Sequence, residues 1–129
     1  EGLNNFIAKL EHWANGSDKL RIVDDEISVP TSAADLALFV YRCIQADLTG
    51  CYHLVNVGTA SRYEFAVAIK KFLPEIKSSI IPAKLIEFNS GPIRPAYSVL
   101  DNSRVVECLG CTPPHWIDAL ERHVRSKGK

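Results

Sequence analysis

Leu3, Phe6, Ile7, Leu10, Trp13 and Ala14 recur at helical spacing and predict an amphipathic helix at the start of the chain. Asn15-Gly16 then reads as a left-handed stop. Leu20, Ile22 and Val23, ahead of Asp24-Asp25, predict a short strand. Pro30 forces Val29 into extended geometry, and Thr31 and Ser32 offer side-chain oxygens to cap a second helix, predicted over 33–46. Ala34, Leu36, Ala37, Leu38, Phe39, Val40, Tyr41, Cys43 and Ile44 leave that helix scarcely any polar side before Arg42. A helix apolar all round is buried on more than one face. The pattern therefore predicts that one face of it packs on a sheet missing from this chain.

Thr49-Gly50 ends that helix, and residues 52–57 form a compact β-branched and aromatic run that predicts a strand closed by Gly58. Ser61-Arg62-Tyr63-Glu64 has the form of a capping box. Phe65, Ala66, Ala68, Ile69, Phe72 and Leu73 supply the buried stripe of the helix it opens, and Pro74 stops it. From 78 to 100 the apolar pieces Ile80-Ile81, Leu85-Ile86 and Val99-Leu100 are short and broken by Pro and Gly, predicting brief strands joined by loops. Asp101-Asn102-Ser103 can cap a short helix ending at Leu109-Gly110, and Pro113-Pro114 opens a last one carrying Trp116, Ile117, Ala119, Leu120 and Val124. The expected class is a mixed α/β chain of short strands and about four or five helices.

Length and composition narrow the function. The 129 residues, 47% hydrophobic, suit one globular core, so 1–129 is expected to be a single domain. Fifteen basic residues balance fifteen acidic ones, leaving no basic field for nucleic acid or an anionic membrane. Apolar runs fall short of the roughly 20 residues a spanning helix needs. No export signal opens the sequence and the four cysteines form no disulfide framework, so a reducing, cytoplasmic setting is expected. The chain starts at Glu1 and contains no Met, and reads as a piece of something longer.

Candidate chemistry is sparse. Cys108-x-x-Cys111, with His115 following, has the spacing of half a zinc site but lacks a second pair, so these residues are expected to be structural, with no metal. His53 has no nucleophile beside it in sequence. Asp24-Asp25-Glu26 could receive a cation or a sugar hydroxyl, but an acidic run at a strand end is usually a solvated edge. There is no glycine-rich phosphate loop, and none of Tyr41, Tyr52, Tyr63 and Tyr97 has Lys four positions on. The chain thus carries no dinucleotide site of its own and no Tyr-x-x-x-Lys pair.

The order of several motifs resembles one family. Val23-Asp24-Asp25-Glu26-Ile27-Ser28-Val29-Pro30-Thr31, followed by Asp35-Leu36-Ala37, resembles the V-D-D-Q-x-G-x-P-T-x-x-x-D-L-A stretch of dTDP-4-dehydrorhamnose reductases, within the extended short-chain dehydrogenase/reductase superfamily. Tyr52-His53-Leu54-x-Asn56-x-Gly58-x-x-Ser61-x-Tyr63-Glu64-Phe65-Ala66 is similar to a second family stretch, and Arg94-Pro95-x-x-Ser98-x-Leu100-Asp101-Asn102-Ser103 to a third. Leu109-Gly110 and Trp116-x-x-Ala119-Leu120 match the closing helix.

The resemblance implies the carboxyl-terminal, substrate-binding part of a larger reductase whose amino-terminal Rossmann domain, absent here, holds NADPH or NADH and the catalytic Tyr and Lys. Such a parent reduces the C4 ketone of dTDP-4-dehydro-L-rhamnose, and the 129 residues alone are expected to be inactive. The implied substrate-binding residues are Arg94, to grip the pyrophosphate with paired hydrogen bonds, and Thr31 and Asn56, which shape the strand end and the start of the helix. The implied partners are a dTDP-sugar and the chain's own Rossmann domain; homo-oligomerisation is left open. Glu26 and Ser28 replace the family's Gln and Gly, adding a charge and a side chain to the turn, and Tyr97 replaces its Asn. Two other readings stay open: a non-catalytic regulatory module like the β subunit of methionine adenosyltransferase, and another sugar-nucleotide epimerase or dehydratase of the superfamily.

Overall fold

The structure is a computed structural model describing residues 5–88 and 94–127. Among these residues the order is α1 (Phe6–Ala14), β1 (Lys19–Val23), β2 (Ile27–Ser28), α2 (Ala33–Gln45), β3 (Ala60–Ser61), α3 (Arg62–Phe72), β4 (Ser79–Ala83), a 3-10 turn (Leu85–Phe88), α4 (Ser103–Leu109) and α5 (Trp116–Lys127). The strands pair as β1 with β4 and β2 with β3. The mixed α/β class expected from the sequence is the one observed. The chain gathers into two compact units, each drawn from two separate stretches: 1–27 with 60–97, and 28–59 with 98–129.

In the first unit, Asn5 caps α1 by accepting the Ala8 N–H at 2.9 Å. β1 and β4 run parallel in a register that sets Lys19 opposite Ser79 and Val23 opposite Ala83. Leu20 and Ile22 alternate inward along β1 and join buried Ile7, Leu10, Ala66, Ile69 and Ala83. Pro82 is tolerated in β4 because a two-stranded sheet leaves each strand one open edge. The predicted capping box at α3 forms: Glu64 N–H donates to Ser61 Oγ at 3.0 Å, and Ser61 N–H donates to Glu64 Oε2 at 2.7 Å. Buried Ser78 donates its hydroxyl to the carbonyls of Ser17 and Ala14, tying the loop after α1 to the start of β4.

The second unit is built on Phe39 from α2, Val105 from α4, and Trp116, Ala119 and Leu120 from α5, all buried. Residues 52–57, expected as a strand, do not form one; a single bridge joins Val57 to His115. The backbone of this run is held instead by a side chain. Asn102 Oδ1 accepts the Val55 N–H at 3.0 Å and Asn102 Nδ2 donates to the Val55 carbonyl at 2.6 Å, so one carboxamide supplies what a neighbouring strand would. Asn102 is thereby unavailable as a cap for α4, and that role falls to Asp101, which accepts from the Ser103 N–H at 2.9 Å and the Ser103 hydroxyl at 2.7 Å.

Two further expectations are corrected. Leu85-Ile86 lies in the 3-10 turn because neighbouring carboxylates capture its amides: Leu85 N–H donates to Asp25 and Lys84 N–H to Glu87. Asn15 ends α1 in the right-handed region, and Gly16 does not have positive φ. Gly58 and Gly110, in contrast, do adopt positive φ, at +86° and +62°.

At Gly58 conformation and space coincide: a Cβ there would lie 2.2 Å from His115 Nε2. Gly58→Ala is expected to cost about 2–4 kcal/mol in urea unfolding, from strained φ and overpacking together. Adding His115→Ala should recover only the steric share. A second expectation concerns acid. Asp101 is held below the usual carboxylate range, first by the Ser103 N–H and then by the Ser103 hydroxyl. A depressed folded value means that this contribution is complete above the unfolded value of about 4 and is lost as pH falls through the lower folded value. The protection factor of the Ser103 amide, its exchange relative to the unfolded rate at the same pH, should therefore fall in acid, and Asp101→Asn should flatten that dependence.

Candidate functional site

Of the three implied substrate-binding residues, two meet in the second unit and the third lies in the first. Asn56 is 2% exposed. Its Oδ1 accepts the Ser32 N–H at 2.7 Å, while its Nδ2 donates to Asp35 Oδ2 at 2.8 Å and to the Pro114 carbonyl at 3.0 Å. Both amide donors are therefore used, and the group joins the start of α2 to the approach to α5. Ser32 passes the connection on by capping α2, its Oγ accepting the Asp35 N–H at 3.4 Å.

Thr31 sits exposed at the margin of this network. Its Oγ1 accepts the Asn56 N–H at 3.4 Å and donates to the Val29 carbonyl at 3.1 Å. A hydroxyl has two lone pairs, so one acceptor position is still free. The neighbouring cavity, bordered by Asp35, Phe39, Leu54 and Asn56, holds about 10 Å³, room for one water and far too little for a sugar.

The sequence reading missed two members. Arg122 Nη2 lies 2.7 Å from both oxygens of Asp35, and Asp35 in turn orients Asn56. Asp35 in the first turn after Ser32 looks like ordinary helix-start chemistry. Nothing local ties it to Arg122, 87 positions away. The contact comes from tertiary packing alone.

Arg94, in the first unit, is exposed, and among the described residues it has neither a hydrogen-bond nor an ion-pair partner. Several other charged groups in the unit are committed. Asp24 pairs with Lys84 at 2.9 Å, Asp25 accepts the Leu85 N–H, and Glu87 pairs with Arg21. Glu26, the family departure, is nearly buried, with Arg62 Nε 3.2 Å from its carboxylate. The added charge is paired with a residue of α3.

Among the described residues no three His, Cys, Asp or Glu side chains gather as metal ligands. Cys108 is exposed and Cys111 half-buried, with Arg42 Nη1 donating to Cys111 Sγ at 3.4 Å. His115 faces Gly58 and accepts the Ile117 N–H on Nδ1 at 3.2 Å. No described helix is long and apolar enough to cross a membrane.

Replacing Asn56 with Asp tests the network. The new carboxylate would confront Asp35 and the Pro114 carbonyl in place of an N–H donor, costing about 2–4 kcal/mol at neutral pH. Its folded pKa would be raised, so the penalty is full above that value, fades as pH falls through it, and is gone below the unfolded value near about 4. Urea unfolding at pH 7 and pH 4 should show the gap to the parent chain narrowing in acid.

Comparison with known proteins adds to this geometry. Residues 1–128 match the family described as RmlD substrate binding domain. The chain is 35% identical to the spore coat polysaccharide biosynthesis protein SpsK of Bacillus subtilis, over 98% of this chain and 44% of that protein. It is 31% identical to a dTDP-4-dehydrorhamnose reductase of Sinorhizobium fredii, over 93% of this chain and 44% of the relative. Among solved structures, it superposes on a dTDP-4-dehydrorhamnose reductase of Clostridium acetobutylicum with TM-score 0.90 at 30% identity, covering 98% of this chain and 45% of the other. A dTDP-4-dehydrorhamnose reductase of Bacillus anthracis in complex with NADP gives TM-score 0.87 at 29% identity, with coverage of 98% and 44%. The chain spans less than half the length of these relatives. It belongs to the RmlD substrate binding domain family.

Proposed function

We propose that these residues form the substrate-binding part of an NAD(P)H-dependent reductase acting on a dTDP-linked 4-keto-6-deoxyhexose, with dTDP-4-dehydro-L-rhamnose as substrate and dTDP-L-rhamnose as product. The family match and the relatives' names support the substrate class. The observation that carries the reading is Arg94, an exposed guanidinium with no carboxylate partner among the described residues, in a loop motif that resembles the family's. A guanidinium offers paired donors matched to phosphate oxygens, and a dTDP-sugar carries a diphosphate whatever its hexose.

The chain's own residues bind and orient. Arg94 clasps the pyrophosphate. Thr31 offers its remaining acceptor position to a ligand hydroxyl, and Asn56, shielded and saturated, fixes the Thr31-Ser32 turn in place without touching substrate. The residues present do not fit a nicotinamide cofactor, since the sequence has neither a glycine-rich phosphate loop nor Tyr-x-x-x-Lys. That cofactor and the groups that transfer hydride and proton belong to the rest of a longer polypeptide, and the reaction is expected in the cytoplasm.

Arg94→Ala in the full-length protein should raise KM for the dTDP-sugar about 10–100-fold, the scale of a lost charge-assisted hydrogen-bond pair, with a smaller effect on kcat. Arg94→Lys should recover part of the loss, because it restores charge without the planar fork. An unchanged KM in Arg94→Ala would remove the arginine from the site. The 129 residues alone should show no ketosugar-dependent NAD(P)H oxidation.

A further inference from the structure

Helix α2 is inside out. Its inward positions are Asp35, Phe39, Arg42 and Cys43, two of them charged, and only Phe39 is buried. Its outward positions are apolar: Leu36, Leu38, Val40, Tyr41 and Ile44 are all exposed, Ile44 at 67% and Tyr41 at 57%. A helix at the surface of a finished domain shows the opposite arrangement, and a contiguous apolar patch of this kind marks a contact surface.

The run beside it is unfinished in a second way. Val55 directs both backbone groups to Asn102, and Val57 exchanges hydrogen bonds with the Pro114 carbonyl and the Trp116 N–H. In a strand, successive residues turn their backbone groups to opposite edges, so Tyr52, Leu54 and Asn56 face the other way. There the Asn56 N–H reaches Thr31, but among the described residues the N–H and C=O of Leu54 and Tyr52 have no partner. A β-branched, aromatic segment with one satisfied and one open edge is a template for strand addition.

We propose that the open edge of residues 52–57 takes up a strand, and the outer face of α2 an apolar layer, both from the amino-terminal part of the same parent polypeptide. The occupant follows from length: the relatives carry more than half of their residues outside the region this chain matches. A tethered segment also reaches the edge at high effective concentration, which a free partner does not. The proposal rests on the reading that the chain is part of a longer reductase, but it concerns structure and does not require turnover.

Amide exchange on the full-length protein tests it without any substitution. The Leu54 N–H should exchange at least about a thousand-fold more slowly than in an unfolded chain. In the same protein, Leu38→Gln and Ile44→Gln should each lower Tm by several degrees, about the shift expected when a covered apolar side chain becomes polar. Leu54 exchange near the unfolded rate, or both glutamine variants leaving Tm unchanged, would overturn the proposal. So would protection that disappears on dilution to a sedimentation-verified monomer, because a second copy would then be the occupant. Protection without ketosugar turnover would leave the docking surface standing and remove the reductase reading; turnover without protection would do the reverse.

Discussion

The second unit depends on one buried carboxamide. Removing Asn56 from water is tolerable only because each of its side-chain polar atoms finds a partner, and those partners lie in three different parts of the chain: the turn before α2, the first turn of α2, and the segment leading into α5. Arg122 closes the arrangement by fixing the carboxylate to which Asn56 donates. Burial of Phe39, Val105 and Leu120 gives the unit its cohesion. It has no directional preference, and the register of the turn that displays Thr31 comes from the polar network.

Elements defined by local chemistry were legible in the sequence. The Ser61–Glu64 capping box needs only four consecutive residues, and it is present with both of its hydrogen bonds. The start of α2 at Ser32 and the inward alternation of β1 were equally readable. The two missing strands share a cause, which is that a side chain takes over a backbone role. Residues 52–57 have the composition of a strand, but a strand exists only with a neighbour, and here Asn102, 47 positions from Val55, fills part of that place. Leu85-Ile86 has strand-like composition too, yet Asp25 and Glu87 capture the nearby amides and tighten the chain into a 3-10 turn. The site was legible in part: Thr31 and Asn56 do lie together, whereas Asp35 and Arg122 could be joined only by the tertiary fold.

The departures from the family pattern are informative because one of them carries its own compensation. A charge at position 26 would be costly in a nearly buried setting if left alone. Arg62, placed at the first position of α3 by the capping box, supplies the counter-charge from within the same unit. The turn can therefore depart from the family's glutamine without leaving the new charge unpaired. Arg94, with no such commitment among the described residues, keeps its guanidinium available.

The way the chain is divided affects how it can be made. Each compact unit takes one stretch from the first half of the sequence and one from the second, so the backbone passes between them at 27/28, 59/60 and 97/98. During synthesis the earlier unit cannot close until residues 60–97 have left the ribosome, and the later one waits for α5, the final helix. Until then Asp35 lacks Arg122, and the start of α2 is tied to Asn56 alone. A truncation that removes α5 would therefore unravel residues 28–59 as well, in the other half of the sequence from the cut.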